Sequence, residues 1–366
     1  MAYTTINKPS DHFNIVTYDG DGTSPRSITG VGFQPDFLWL KNYSGSNTYE
    51  PRWMDAVRGS NKVLHPTLTA VENTEEYYTV GSFDSDGWTG RNGTGSNQII
   101  TGGNDSSHSF VGWAWKGDGT SGTENTDGDI TSTVNANTAA GFSIVGYTGN
   151  GTANQTVGHG LNSTPEIIII KNRDEGTAYW SVINPRTADT SNTNIVYLNN
   201  DAVEADDTNI MGTNLPNATT FGVDDYTGVN TVSSKFIAYC WHSVRGYSKM
   251  GTYKGNANSN GAFIYTGFKP RFVMIRRMDA AENWHVFDSQ RNPIQPTNGT
   301  YDGRATRLFP NRNDNNDLSQ SGPNFFSNGF KFTSTWSGGN GANFFIYMAF
   351  ADKPFIGSNG TVGTAE

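Results

Sequence analysis

One run of landmarks occurs three times along the chain in the same order, and this repetition limits the possible folds more than any single motif. Each copy opens on an apolar strand that runs through a tyrosine into a Gly/Asn turn: FNIVTYDGDGT from Phe13, FSIVGYTGNGT from Phe142 and YSKMGTYKGNA from Tyr247. A proline then precedes an apolar strand ending in a cation: Pro35 to Lys41, Pro165 to Lys171 and Pro270 to Arg276. A tryptophan follows, at Trp53, Trp180 and Trp284. Each copy closes on an aromatic strand, FVGWAW from Phe110, FIAYCW from Phe236 and FIYMAF from Phe345. Tyr18, Pro35 and Trp53 recur about 129, 130 and 127 positions later, and again after about 106, 105 and 104. A unit of roughly 100 residues is too long for a solenoid repeat and the right size for a β-sandwich.

The residues between the landmarks agree. Of 366 residues, 13% are aromatic, 43 are Gly and only 16% of the chain is charged, which excludes a disordered chain and a coiled coil. Asn, Ser, Thr, Asp and Gly separate short aromatic and β-branched runs, the pattern of an all-β protein. FLWL from Phe37 and IIII from Ile167 are apolar on both faces, as strands covered on both sides must be. Pro35, Pro165 and Pro270 sit just ahead of strands, where a missing N–H costs no ladder bond. Helix is expected as one short turn at most, between Thr69 and Tyr77. The expected organisation is three tandem antiparallel β-sandwich domains of jelly-roll or lectin-like type, joined head to tail. An N-terminal attachment segment covers 1–12, the repeats cover 13–116, 142–245 and 246–356, and a flexible tail covers 357–366. Residues 117–141 are nearly all Gly, Ser, Thr, Asn and Asp, with no counterpart between copies two and three, and read as a linker making a loose connection.

No run reaches the ~18 apolar residues of a membrane helix, and residues 1–14 lack the basic start and apolar stretch of a secretory signal. Membrane insertion and the usual oxidative export route are therefore not expected. The single cysteine, Cys240, excludes an intrachain disulfide and a cysteine-based zinc site. A net charge of −9 and a pI near 5.1 argue against nucleic acid as a partner. The turns Asp19–Asp21, Asp84–Asp86 and Asp127–Asp129 could offer oxygens to Ca2+, but none continues as an EF-hand, and copy two has Asn150 in place of Asp21. No cofactor is expected. Cys240 and His242 share a strand face, yet Ala114 and Ala349 occupy the Cys240 position elsewhere, which marks a core slot rather than a nucleophile. Glu50, Glu72, Glu75 and Glu76 read as a solvated loop rather than a glycosidase pair. No catalytic residue is assigned. Lys41, Lys171 and Arg276 read as snorkelling or ion-paired cations. Trp53, Trp180 and Trp284 recur, so they read as core anchors. The copy-specific aromatics Tyr43, Tyr49, Trp88, Tyr179, Tyr226, Tyr301 and Trp336 lie in or beside variable polar loops and are the candidate sugar-stacking residues.

The full order of strand, Gly/Asn turn, HGL or GF-x-P strand, Trp strand and aromatic closing strand resembles a repeat of tail-fibre-like and other virion proteins of tailed phages. Copy two carries nearly all of it, including His159-Gly160-Leu161, Pro165, Lys171 and the strand Phe236 to Cys240; copy three matches at Tyr265 to Phe268, Trp284 and Phe345 to Phe350. Copy one lacks the His-Gly-Leu step, and its section from Gly90 to Gly103 is its own. The resemblance implies a non-enzymatic component on the exterior of a phage particle, a tail fibre or tail-associated fibre that attaches to host glycans. Other virion proteins and further copies of the chain would be its partners. A capsid decoration or head-fibre protein is the nearest alternative, and a polysaccharide-degrading tailspike the alternative from another class.

Overall fold

Three large antiparallel sheets carry the repeat. The computed structural model describes residues 4–74, 80–91, 103–184, 194–206, 209–291, 306–317 and 322–354. In every large sheet the opening strand pairs with the closing strand, which pairs with the central strand, which pairs with the strand after the tryptophan landmark begins. In copy one these are Phe13–Asp19, Ser109–Trp115, Phe37–Ser44 and Arg52–Asp55. In copy two they are Phe142–Thr148, Lys235–Trp241, Ile167–Asn172 and Ser181–Ile183. In copy three they are Ser248–Lys254, Phe344–Pro354, Phe268–Arg277 and His285–Asp288. A small sheet belongs to each: Arg26–Thr29 with Gly87–Gly90 and Val80–Asp84, Gln155–Gly158 with Thr220–Val223, and Phe263–Tyr265 with Gly329–Phe332 and Pro323–Phe326. The chain is all-β as expected; among the described residues helix is confined to the single turns Pro9–Asp11, Thr227–Asn230 and Ser337–Asn340.

The recurring tyrosine and turn are one device. The tyrosine ring stacks on the aromatic that begins the closing strand, Tyr18 on Phe110, Tyr147 on Phe236 and Tyr253 on Phe345, at interplanar angles of 18°, 11° and 8°. Its hydroxyl donates to the carbonyl just before a buried asparagine: Gly103 O, Val229 O or Gly339 O. That asparagine (Asn104, Asn230 or Asn340) donates from Nδ2 to Thr23 O, Thr152 O or Asn258 O. Its Oδ1 accepts the turn amide of Asp21, Asn150 or Asn256. A buried amide with both ends satisfied holds the turn in one geometry. In copy two, His159 is a further clamp: its Nδ1 accepts from Leu161 N at 3.2 Å and Nε2 lies 3.1 Å from Asn217 O.

The large sheets are apolar on both faces because each is covered twice. One face meets its own small sheet across a local cluster, built around Leu38, Trp88 and Phe110, around Ile168, Phe221 and Phe236, or around Val273, Phe330 and Tyr347. The other faces of all three meet in a single common core. Phe37, Trp53 and Trp115 from copy one, Ile167, Trp180 and Trp241 from copy two, and Phe272, Trp284 and Phe350 from copy three belong to it. The expected head-to-tail string of separately cored units is therefore replaced by three copies fused on shared apolar surface, the non-directional burial that dominates folding. All three tryptophan anchors are buried there, and Trp53 meets Trp180 edge-on at 5.0 Å.

Polar contacts between the copies run cyclically. Copy two reaches copy one through Lys171 Nζ to Thr69 O (2.8 Å) and Trp180 Nε1 to Leu68 O (3.0 Å). Copy three reaches copy two through Arg276 to Ala202 O and Trp284 Nε1 to Tyr197 O (2.9 Å). Copy one reaches copy three through Lys41 Nζ to Asn313 O (2.9 Å) and Asn42 Nδ2 to Asn315 Oδ1 (2.9 Å). The three aligned cations neither snorkel nor rely on carboxylate pairing. They are buried and donate to backbone carbonyls of the neighbouring copy. Burial holds the Lys41 ammonium down to about 7, that of Lys171 to about 8 and the Arg276 guanidinium to about 10.

Three further expectations change, those for residues 117–141, Pro270 and Trp88. Residues 117–141 are no loose linker: Thr123–Asn125 and Ser132–Asn137 extend the second large sheet beside Phe142–Thr148. Asp36 of copy one accepts from Gly117 N, Gly119 N and Asn135 Nδ2, tying the segment down at its start. Of the attachment segment 1–12, Thr4 and Ile6 are buried, Ile6 in the common core. Pro270 lies within its strand rather than before it, at a break in register with Ala351 where no ladder bond is asked of it. Trp88 is fully buried under Gly112, where a Cβ would come within 2.5 Å of its ring. The proposed tail 357–366 lies outside the described residues.

His285 makes the fold acid-sensitive. Its ring is buried, 4.7 Å from Trp336, and burial lowers its pKa from 6.5 to about 4 although Glu282 Oε1, 3.3 Å from Nε2, opposes this. Stability from this group is full above pH 6.5 and is lost as pH falls from 6.5 to 4, because the unfolded chain takes up the proton first. Wild type is expected to lose up to about 1.4 kcal/mol more per pH unit across that window than His285→Gln. Denaturant melts at stepped pH read the difference, and parallel slopes would refute it.

Candidate binding face

The sequence-derived aromatic set does not form one site. Trp88 is core, so its ring is closed to any ligand. Tyr49 is buried and donates through its hydroxyl to Asp105. Tyr43 is half-buried against the common core. Tyr226 and Trp336 occupy equivalent positions, each preceding the helical turn that delivers the buried asparagine, and each packs on its local core. Tyr179 is the exposed member, at 42%, and lies against Tyr197 at 5.0 Å. Tyr301 lies outside the described residues.

Most of the other candidate groups are occupied. Asp21 accepts from Thr23 and Asn104 and lies 3.4 Å from Arg26 Nε; the hydrogen bonds from Thr23 hold its carboxyl down to about 2. Asp84 accepts from Ser82 and Thr89, and Asp129 from Thr156. Among the described residues no three His, Cys, Asp or Glu side chains gather as a metal site requires. Burial pushes the Cys240 thiol well above its ordinary range, away from thiolate chemistry. His242 is engaged on one side only: Nδ1 lies 3.0 Å from Ser243 O, while the buried Nε2 has no hydrogen-bond partner among the described residues. Glu72 is taken by Arg58 and Arg173, and Glu50 by Thr67 and Asn313; Glu75 and Glu76 lie outside the described residues.

A different aromatic set is open. In the third copy's small sheet Ile264 points into the local core, so Phe263 and Tyr265 point outward. They are 44% and 55% exposed, and Phe326 on Pro323–Phe326 is 39% exposed. Phe263 and Phe326 lie 5.8 Å apart. Between them runs Gly329–Phe332, with Gly329 opposite both Tyr265 and Phe326 and Lys331 opposite Phe263. A Cβ at Gly329 would come within 2.8 Å of the Phe263 ring, so glycine leaves the surface between the rings clear. The same outward positions hold Ser27 and Thr29 in copy one, and Thr156 and Gly158 in copy two. In copy two, Asp129 and the bridge from Ile130 to Val157 partly cover that sheet. At the Tyr265 end of the face an open cleft of about 340 Å³ is lined by Ser243, Arg245, Ser248, Lys249, Tyr265 and Thr266. Sequence reasoning missed Phe263, Tyr265, Phe326 and Lys331 because it searched variable loops. The available signal was an aromatic replacement in an alternating strand, visible once the copies are aligned.

A family model described as a domain of unknown function (DUF7483) matches residues 8–354. No curated protein and no solved structure matches.

Proposed function

The chain belongs to the DUF7483 family, a domain of unknown function, over nearly its whole length; from the repeat and the exposed face of its third copy we propose that it is a non-enzymatic structural protein on the exterior of a tailed-phage virion. In this reading it is a tail fibre or tail-associated fibre that helps attach the particle to host-surface glycans. The resemblance of the repeat supplies the virion setting. The observation that carries attachment is the set of outward rings, Phe263, Tyr265 and Phe326, on the small sheet of the third copy, where the equivalent strands of the other copies carry Ser, Thr and Gly. A rigid sheet with exposed rings can stack on the apolar face of a sugar without reorganising. The reactive groups described above are spent on structure, which favours binding over catalysis. Within this reading the copies are tandem sandwiches of jelly-roll or lectin-like type, supported by the pairing of each large sheet with a small sheet across its own cluster. The partners are other virion proteins, a host glycan and further copies of the chain.

The cyclic closure of three copies favours a second reading, a capsid decoration or head-fibre protein, because a three-part ring matches a threefold site on a lattice. Cryo-EM of intact particles separates the two: density on the tail is expected, and density on the capsid lattice would move the assignment to decoration. Release of reducing sugar from host polysaccharide by the purified protein would overturn the non-enzymatic reading.

A further inference from the structure

The third copy differs from the others in charge as well as in exposed rings. Residues 246–356 hold 12 Lys and Arg against 7 Asp and Glu, a formal +5 within a chain of −9. Two of those cations, Lys331 and Lys249, lie beside the aromatic face. Lys331 lies in the row of Phe263 and Asn324. Lys249, with Arg245 of the preceding segment, lines the cleft at the Tyr265 end. Lys269 and Lys353 pair across the end of the large sheet. The nearby carboxylates are engaged: Glu166 accepts from Ser243 N, and Asp352 pairs with Arg271 at 3.5 Å.

We infer that this face binds an anionic polysaccharide, with Phe263, Tyr265 and Phe326 stacking on the apolar faces of successive sugar rings and Lys331, Lys249 and Arg245 pairing the acidic groups. The inference rests on the attachment reading above and gives it a ligand class. Opposite charge concentrated on one region of an acidic protein steers an anion to that region and away from the rest. The rings favour a sugar over a single-stranded nucleic acid. Phe263 and Phe326 lie 5.8 Å apart with their planes tilted by 60°, so no base can insert between them, and each ring presents its own apolar face to a pyranose. Around the rings the exposed polar groups are the Lys249 and Arg245 side chains, whereas the Ser248 and Thr266 hydroxyls are buried and donate to His242 O and Phe268 O.

Affinity electrophoresis of the full chain tests this with polygalacturonate and dextran sulfate in the gel, and with neutral dextran and single-stranded oligothymidylate as comparators. The acidic polymers are expected to retard the protein, less so as salt rises, and dextran to have no effect. Phe263→Ala with Phe326→Ala, and separately Lys249→Glu with Lys331→Glu, are expected to weaken retardation about tenfold each while the melting temperature stays unchanged. Failure of both acidic polymers to bind overturns the inference, as does binding that neither variant alters. Equal retardation by neutral dextran overturns the anionic class and leaves glycan attachment standing. Binding of oligothymidylate alone would make nucleic acid the occupant and overturn it too.

Discussion

Trp115→Ala is expected to destabilise all three copies together, by about 3–5 kcal/mol. The Trp115 ring lies at the meeting point of the large sheets. Phe13 and Phe37 of its own copy are 4.7 and 5.1 Å away, Trp241 of copy two is at 6.2 Å, and Phe272 and Phe350 of copy three are at 6.0 and 5.6 Å. Removing it leaves a cavity bordered by three rigid sheets, none of which can collapse inward without disturbing the other two. Urea unfolding followed by tryptophan fluorescence and by circular dichroism should give one coincident transition for wild type and variant, with the midpoint lowered. If the variant instead lost one third of its signal in a separate early step, the common core would not couple the copies.

Arg58→Met is expected to cost a similar amount, about 3–5 kcal/mol, through charge rather than volume. Arg58 is buried where copies one and two meet. It donates to Asp55 at 2.5 Å, to Glu72 at 3.1 Å, to Trp53 O at 2.9 Å and to the Tyr239 hydroxyl of copy two at 3.1 Å. Burial disfavours its charge, but Asp55, Tyr239 and Glu72 outweigh this and hold its pKa above the ordinary arginine range. Without the guanidinium, Asp55 is left as a buried carboxylate with the Tyr239 hydroxyl at 2.7 Å as its remaining side-chain donor from copy two. The molecule contains its own control. Copies one and three repeat the arrangement, with Trp113 Nε1 donating to Asp288 and Arg291 closing on the same carboxylate. At the remaining contact Asn184 follows Ile183 where Asp55 and Asp288 stand, and Met348 takes the place of Tyr239 and Trp113. Arg58→Met with Asp55→Asn is therefore expected to recover at least half of the loss seen for Arg58→Met alone. Urea midpoints of the two variants test this, and a double variant no better than the single would show that the charge is not what matters.

The repeat was readable from spacing because its landmarks do local work. Tyr147, Asn150 and Phe236 need only their own hairpin and closing strand, so each copy had to keep them. The second cover of the central strands was half readable: Ile167 to Ile170 require apolar surroundings on both sides, but the pattern is the same whether that cover is a small sheet, a partner chain or a sister copy. Lys171 showed the limit more sharply. A cation at a strand end reads as solvated unless one knows that Thr69 O, more than 100 residues earlier, will stand where water would. The segment from Ser132 to Asn137 was hidden by composition, since Val134 is its one strongly apolar residue and pairing with Phe142–Thr148 supplies the rest. The binding face was hidden by location, because Phe263 and Tyr265 look like ordinary strand aromatics until Ile264 is seen to take the inward place.

The order of amino acids was enough to set the strand class, the count of copies and the clamp that shapes each one, since these depend on near neighbours and on period. Only the folded chain decided that the copies close on a single aromatic centre, that their cations serve one another's carbonyls, and that one outer sheet turns its rings to solvent. Burial rewards apolar area without naming the surface that covers it, so the choice among possible covers is made by shape and by the few polar groups that must find partners once water is gone.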